Sequence, residues 1–178
     1  SEVERMLEEV ERISEESKRK LEEVLRRVEE IIKAIERTLE KVLKDDEEII
    51  RRIEDTLRRR NTEEVSKRIE ELSERSRRKI AKVLRDIDEL LKEAERELDK
   101  LKKESRKLAE DVRRALKEIN VRREVVKTID DLLRENERRV DEALEEIEKR
   151  ARDLREKVKE LEERLDRTNR KLKKKVED

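Results

Sequence analysis

Apolar residues recur along the chain three or four positions apart, which is the spacing of residues on one face of an α-helix. In the middle third, over residues 65–119, the series takes fifteen steps across 54 residues, or 3.6 residues a step. Similar series cover residues 3–57 and 129–176. A period of 3.6 keeps an apolar stripe on one side of a straight helix. The pattern therefore predicts three long, nearly straight amphipathic helices.

The middle series can be assigned position by position. Its predicted core face, which includes two serines and two alanines, consists of Val65, Ile69, Leu72, Ser76, Ile80, Val83, Ile87, Leu91, Ala94, Leu98, Leu101, Ser105, Leu108, Val112, Ala115 and Ile119. Adjacent apolar pairs such as Ile31–Ile32 and Leu132–Leu133 widen the stripe in the other two series. Each helix can therefore contact two neighbours rather than one.

Two short segments interrupt the apolar series, and we interpret them as helix boundaries. The first contains Asn61, which can cap a new helix, with Glu64 three residues later as in a capping box. The second contains Asn120, which can take a left-handed position or cap the next helix. Ser1 with Glu4 resembles a third capping box. These boundaries predict helices over about residues 2–60, 62–119 and 121–178.

The three predicted helices have nearly equal lengths and very short connections. Each must fold back along its predecessor, which predicts an all-α fold, a straight, elongated up-down-up three-helix bundle about 85–90 Å long. We expect residues 1–178 to form this single bundle. A boundary at Asp45–Asp46 is the alternative, but it would leave a segment of about fourteen residues without a partner of matching length.

Polar residues interrupt the apolar stripes at two levels of the predicted bundle. In an up-down-up order, residue i of the first helix lies level with residue 121 − i of the second and about 119 + i of the third. One polar group then combines Ser14, Ser17, Ser105 and Asn136. The other combines Asp46, Ser73, Ser76, Thr168 and Asn169.

We predict that each of these groups forms a buried structural layer of hydrogen bonds. An unpaired buried member costs roughly 1–3 kcal/mol, so such layers disfavour wrong registers and wrong pairings. One alternative is that serine and threonine are tolerated beside a stripe without touching each other. A polar pocket for a ligand or water is a further alternative, although no concave apolar site is evident.

Composition removes most kinds of chemistry. The chain contains no Gly, Pro, Cys, His, Phe, Tyr or Trp, and 60% of its residues are charged, with 53 basic and 53 acidic side chains. Disulfides are therefore excluded, and the chain lacks the residues that usually form tight turns and most of the side chains that bind soft metals. We predict no catalytic residues, no metal site and no cofactor, and hence no enzyme activity.

Two runs of charged residues are candidate binding sites. The acidic run at residues 45–48 lies within a predicted helix, where consecutive side chains point in different directions, so we interpret it as a solvated face rather than a cation site. The basic run at residues 170–175 has no aromatic residue to stack on bases, and cations are common at the end of a helix. We therefore expect no nucleic-acid partner.

Membrane association is not expected either. No apolar run approaches the roughly 18 residues of a membrane span, and the charged N-terminal sequence does not resemble a signal peptide. The chain shows no targeting or transmembrane segment. We expect a soluble protein, which would be cytoplasmic if it were expressed recombinantly.

The whole chain resembles de novo designed helical bundles. The resemblance rests on the Glu/Lys/Arg surface, the Leu/Ile/Val/Ala core at helical period, the two Asn-bearing joints and the two polar groups, which resemble programmed hydrogen-bond networks. Such designs commonly close their loops with Gly, which this chain lacks. The resemblance implies an intended structure without a natural substrate, cofactor or pathway.

Two functional hypotheses follow. The first is a structural scaffold, mainly monomeric, that requires no partner and has a thermal midpoint above about 90 °C. The second is an interaction module that self-associates or binds a partner helix through a residual apolar face of the first helix. That face would consist of Met6, Ile13, Leu25, Ile32, Leu39, Leu43 and Ile50.

Overall fold

The protein folds into three long α-helices in a computed structural model that describes residues 2–59, 62–119 and 121–177. Helix α1 covers Glu2–Arg58, α2 covers Thr62–Glu118 and α3 covers Arg123–Glu177. No strand occurs among the described residues, which confirms the predicted all-α fold with three long helices. The capping interpretations at Ser1, Asn61 and Asn120 lie outside the described residues.

Charges at the helix ends follow the helix dipole. Glu63 and Glu64 lie in the first turn of α2, where carboxylates face the unpaired amide groups. Lys174 and Lys175 lie in the last turn of α3, where cations face the unpaired carbonyl groups. These ends agree with the composition of the predicted termini.

Helix α3 begins two residues later than the apolar pattern predicted. Val121 and Arg122 are not helical, and the Arg122 carbonyl oxygen accepts bonds from the amides of Val125 and Val126. Arg122 therefore occupies the capping position of α3. An arginine side chain cannot accept a hydrogen bond from the first-turn amides, so Arg122 supplies no side-chain cap.

The chain divides into two compact units, and each unit takes segments from all three helices. Unit 1 consists of Ser1–Glu30 and Leu90–Lys149, and unit 2 consists of Ile31–Glu89 and Arg150–Asp178. The expectation that residues 1–178 form one bundle stays a prediction.

In unit 1, ion pairs between the helices give the chain directions. From Lys20 to Arg27 along α1, the acidic partner on α2 moves backwards from Glu104 to Glu97, at 3.7 and 3.0 Å. Helices α2 and α3 also run in opposite directions, because Lys102 pairs with Asp141 and the later Arg113 pairs with the earlier Asp130. Helix α2 is therefore antiparallel to both neighbours, and the helices of unit 1 have the up-down-up order.

Unit 1 is held by an apolar cluster to which all three helices contribute. Its buried members are Val10, Ala109, Val112, Leu116, Ile129 and Leu133. Half-buried residues pack around them, among them Met6 and Leu7 of α1. At about 25 cal/mol per Å² of buried apolar area, such clusters supply most of the favourable free energy of folding.

Unit 2 has the same order of helices. Helices α1 and α3 run in parallel, because the pairs Glu36–Lys157 at 3.8 Å and Glu47–Arg164 at 3.6 Å advance along both helices together. Helix α2 runs the other way. Its apolar cluster again draws on all three helices, with Ile53, Val65, Ile69, Leu72 and Leu172 as the buried members.

The buried face of α2 differs from the predicted face at four positions in unit 1, one of which is the half-buried Ile119 at the end of the predicted series. The predicted Leu91, Leu108 and Ala115 are half-buried, and the buried side chains are their neighbours Leu90, Ala109 and Leu116. Neighbouring helix positions differ by about 100° in direction. At these levels both positions are apolar, so the pattern did not determine which of them faces the centre of the unit.

Candidate functional site

The polar residues of unit 1 include one buried hydrogen-bonded pair. The Asn136 amide Nδ2 of α3 donates to the Ser105 Oγ of α2 at 2.7 Å. Only 3% of Asn136 and 4% of Ser105 are exposed to solvent. Both residues continue the apolar stripes of their helices, so folding carries them inward with their apolar neighbours. The amide and hydroxyl carry no charge, which keeps the cost of burying them low once they are paired.

The two predicted serines of α1 are both buried in unit 1, but their side chains have different surroundings. Ser17 is buried and lines a recess of about 100 Å³ together with Ser105 and Asn136. Ser14 is also buried, and its hydroxyl has no hydrogen-bond partner among the described residues. The structure thus places all four predicted residues in unit 1, but it joins only Ser105 and Asn136 by a hydrogen bond.

The polar residues of unit 2 include a buried carboxylate. Asp46 of α1 is 2% exposed, and Ser76 of α2 is 4% exposed. The Ser76 hydroxyl lies 3.0 and 3.1 Å from the two carboxylate oxygens of Asp46. A hydroxyl carries one proton, so it donates to one oxygen at a time. Burial raises the pKa of Asp46, while the hydrogen bond from Ser76 and the charge of Lys79 act in the opposite direction.

Asp45, the preceding residue, has the opposite environment. Its carboxylate accepts a bond from the Lys79 ammonium group at 3.2 Å, and the Arg75 guanidinium lies 4.0 Å away. The hydrogen bond from Lys79 lowers the pKa of Asp45, and the positive charges of Lys79, Arg75 and Lys41 add to this effect. Two adjacent aspartates on one helix therefore differ in the direction of their pKa shift.

A second polar pair in unit 2 joins α2 to α3. The Asn169 amide Nδ2 donates to Ser73 Oγ at 2.6 Å, and the Asn169 Oδ1 atom is buried without a partner among the described residues. Thr168 forms no hydrogen bond with Asp46, and its hydroxyl donates instead to the Arg164 carbonyl of its own helix at 2.9 Å. Ser73, Ser76 and Asn169 also line a recess of about 270 Å³.

The bonded pairs follow the predicted register closely. The rule 121 − i places Asp46 level with residue 75 of α2, and its partner is Ser76. The contact between Asp45 and Lys79 was missed by the sequence analysis. A signal was present, because the same rule places Asp45 within about one helical turn of Lys79.

The chemistry available at these polar groups is limited to hydrogen bonding and proton exchange. Among residues 2–59, 62–119 and 121–177, no group of three acidic side chains is placed to hold a metal ion. In the same ranges, no helix has the length and apolar character needed to cross a membrane.

In comparisons with known proteins, the chain is similar to solved structures but to no known family. No protein-family model and no curated protein matches the chain. A solved structure described as a computationally designed three helix bundle is 16% identical, with a TM-score of 0.42, over 99% of this chain and 86% of that chain. The three long helices of the present structure, with no strand in its described part, agree with the all-α fold that the sequence predicted.

Proposed function

We propose that this protein is a designed structural scaffold, which has no natural biochemical activity beyond forming its own fold. The observation that carries the proposal is the placement of the polar side chains. The buried pairs Asp46–Ser76 and Asn136–Ser105 and the half-buried pair Asn169–Ser73 each join two different helices. Within the described ranges, no large apolar side chain is exposed. Polar groups thus lie where they can select helix partners, and apolar groups lie where they stabilise the fold.

The polar pairs support a role in choosing the register of the helices. A slip of one helical turn moves a side chain by about 5.4 Å, which separates Asn136 from Ser105 and Asp46 from Ser76. Each slipped register then contains a buried amide or carboxylate without a partner, at a cost of about 1–3 kcal/mol or more. An apolar residue in the same place would tolerate the slip.

Sedimentation equilibrium at micromolar concentration tests the scaffold proposal. We expect the mass of a single chain, because each helix already places its apolar face inside a unit. A mass of two or more chains would favour the interaction module instead.

A paired substitution tests the role of the polar groups. Replacing Ser105 with Ala and Asn136 with Leu together should keep or raise the free energy of unfolding, while increasing association or conformational heterogeneity in NMR spectra. The volume-conserving change Leu133→Ile in the same unit is the matched control and should change neither. A double variant that stays monomeric with a single set of sharp signals would contradict the role.

The alternative function is a helical interaction module on α1. Of the seven residues of its predicted apolar face, Ile32 and Leu39 are buried, and the other five are half-buried. The observation that favours this alternative is a recess of about 480 Å³ in unit 2, to which Leu39, Leu43 and Leu161 contribute. If the protein self-associates, Leu43→Glu should abolish association, and the matched change Leu25→Glu in unit 1 should not.

A further inference from the structure

Asp46 is a buried carboxylate whose charge is poorly compensated. An ionised carboxylate has about four positions that can accept hydrogen bonds, and Ser76 supplies a single proton. Among the described residues, no lysine or arginine forms an ion pair with Asp46. Burying an ionised group under these conditions is costly, and a group so placed tends to take up a proton instead.

The positively charged groups around Asp46 form ion pairs with other residues. On its own helix, Asp45 precedes it and adds a second negative charge nearby. On α2, Lys79 and Arg75 approach Asp45, at 3.2 and 4.0 Å.

On α3, Arg164 lies 3.6 Å from Glu47. Asp166 and Arg167 are the other charged residues of α3 near this level, and among the described residues Arg167 forms no ion pair with Asp46. Thr168 and Asn169 carry no charge. The ion pairs of Lys79, Arg75 and Arg164 are therefore made with neighbours of Asp46.

We propose that Asp46 is a proton-binding site built into unit 2, and that proton uptake reverses its hydrogen bond with Ser76 and stabilises this unit as the pH falls. The proton comes from solvent and binds one carboxylate oxygen. The new carboxyl O–H donates to Ser76 Oγ, and the Ser76 hydroxyl turns its own proton towards the carbonyl oxygen four residues earlier in α2. No covalent bond other than the O–H bond forms, and no charge then remains buried.

The direction of the pH dependence follows from burial. Because the pKa of Asp46 is higher in the folded protein than in the unfolded chain, its favourable contribution is complete below the unfolded pKa. That contribution is lost as the pH rises through the folded pKa. Asp45 has the opposite linkage, since its pKa is lowered and its contribution is lost as the pH falls.

A titration of the intact protein tests the proton site directly. In ¹³C-labelled protein, the chemical shift of the Asp46 carboxyl carbon is followed from pH 8 downwards. We expect a midpoint above the ordinary value for aspartate, about 3.9. A midpoint at or below that value, or a carboxylate that is still ionised when the protein unfolds, would overturn the proposal.

Urea unfolding of Asp46→Asn against the unmodified protein tests the linkage. Asparagine is isosteric and, like the protonated acid, can both donate and accept. The ratio of the two folding constants, variant over parent, should rise with pH by tenfold for each unit by which the folded pKa exceeds the unfolded pKa.

The control is Asp45→Asn, for which the corresponding ratio should fall as the pH rises. A ratio for Asp46→Asn that stays constant from pH 3 to 8 would contradict the proposal. If Asp46→Asn does not fold, the titration of the unmodified protein still decides.

Removing the hydroxyl tests the part played by Ser76. In Ser76→Ala, the ionised carboxylate loses its donor, so the titration midpoint of Asp46 should move upwards. Ser105→Ala, which removes a buried serine of unit 1, should leave that midpoint unchanged. A downward shift in Ser76→Ala would show that the hydroxyl favours the neutral acid and would overturn its role as donor to the carboxylate.

Discussion

The two compact units bury polar groups of similar size, but of different chemistry. Unit 1 buries a neutral pair, the Asn136 amide and the Ser105 hydroxyl, whereas unit 2 buries the Asp46 carboxylate with Ser76. Pairing satisfies the neutral amide at any ordinary pH. One hydroxyl cannot satisfy a carboxylate, whose cost therefore depends on the proton concentration. Polar residues that interrupt an apolar stripe at equivalent positions can therefore differ in the free-energy cost of their burial.

The largest expected effect is the loss of the donor to the carboxylate. Ser76→Ala should lower the free energy of unfolding by about 1.5–3 kcal/mol at pH 7, since hydrogen bonds to charged groups are worth about that much. At a pH below the raised pKa of Asp46 the cost should fall to about 1 kcal/mol, because the acid is then neutral. Urea unfolding at the two pH values measures both. An equal cost at both would contradict the assigned difference between the units.

A somewhat smaller effect is expected at the neutral pair. Asn136→Leu removes the partner of Ser105 and adds an apolar side chain of different shape, which should cost about 1–3 kcal/mol despite the greater hydrophobicity. Unlike the change at Ser76, this cost should not vary between pH 4 and 7. The same urea experiment measures it, and a pH-dependent cost would remove the distinction between the units.

A gain in stability is expected at Ser14. Its buried hydroxyl has no partner among the described residues, so Ser14→Ala removes an unpaired polar group and introduces a better helix former. The free energy of unfolding should rise by up to about 1 kcal/mol. Ser105→Ala is the matched control and should lower it, because that serine is bonded. A loss of stability in Ser14→Ala would mean that the hydroxyl has a partner after all.

The smallest expected effect is at the half-buried ion pair between Asp45 and Lys79, beside the buried carboxylate. Asp45→Asn should weaken unit 2 slightly at pH 7, and the difference should vanish as the pH falls through the lowered pKa of Asp45. High salt should also reduce it, because such pairs are screened. A difference that grows on acidification would reverse the sign assigned to Asp45.

Much of the candidate site was predictable from the sequence because the helices leave few possible registers. Three predicted helices of nearly equal length place Asp46 near Ser76 and Asn136 near Ser105, and both pairs are bonded in the structure. Thr168 was predicted to join the first pair and bonds to its own helix instead. This outcome had a local signal, because threonine in a helix commonly bonds to the carbonyl four residues earlier, as Thr38 and Thr128 also do.

Helical periodicity and the lack of Gly and Pro were enough to predict three helices and most of the stripe that each of them buries, because these signals act within each segment. The tertiary structure was needed to establish which member of an adjacent apolar pair is buried, as with Leu90 and Leu91. It was also needed to establish that Lys79 pairs with Asp45, so that Asp46 has the Ser76 hydroxyl as its hydrogen-bond donor. These outcomes depend on the rotation of each helix about its own axis, and that rotation is set by contacts with both neighbours at once.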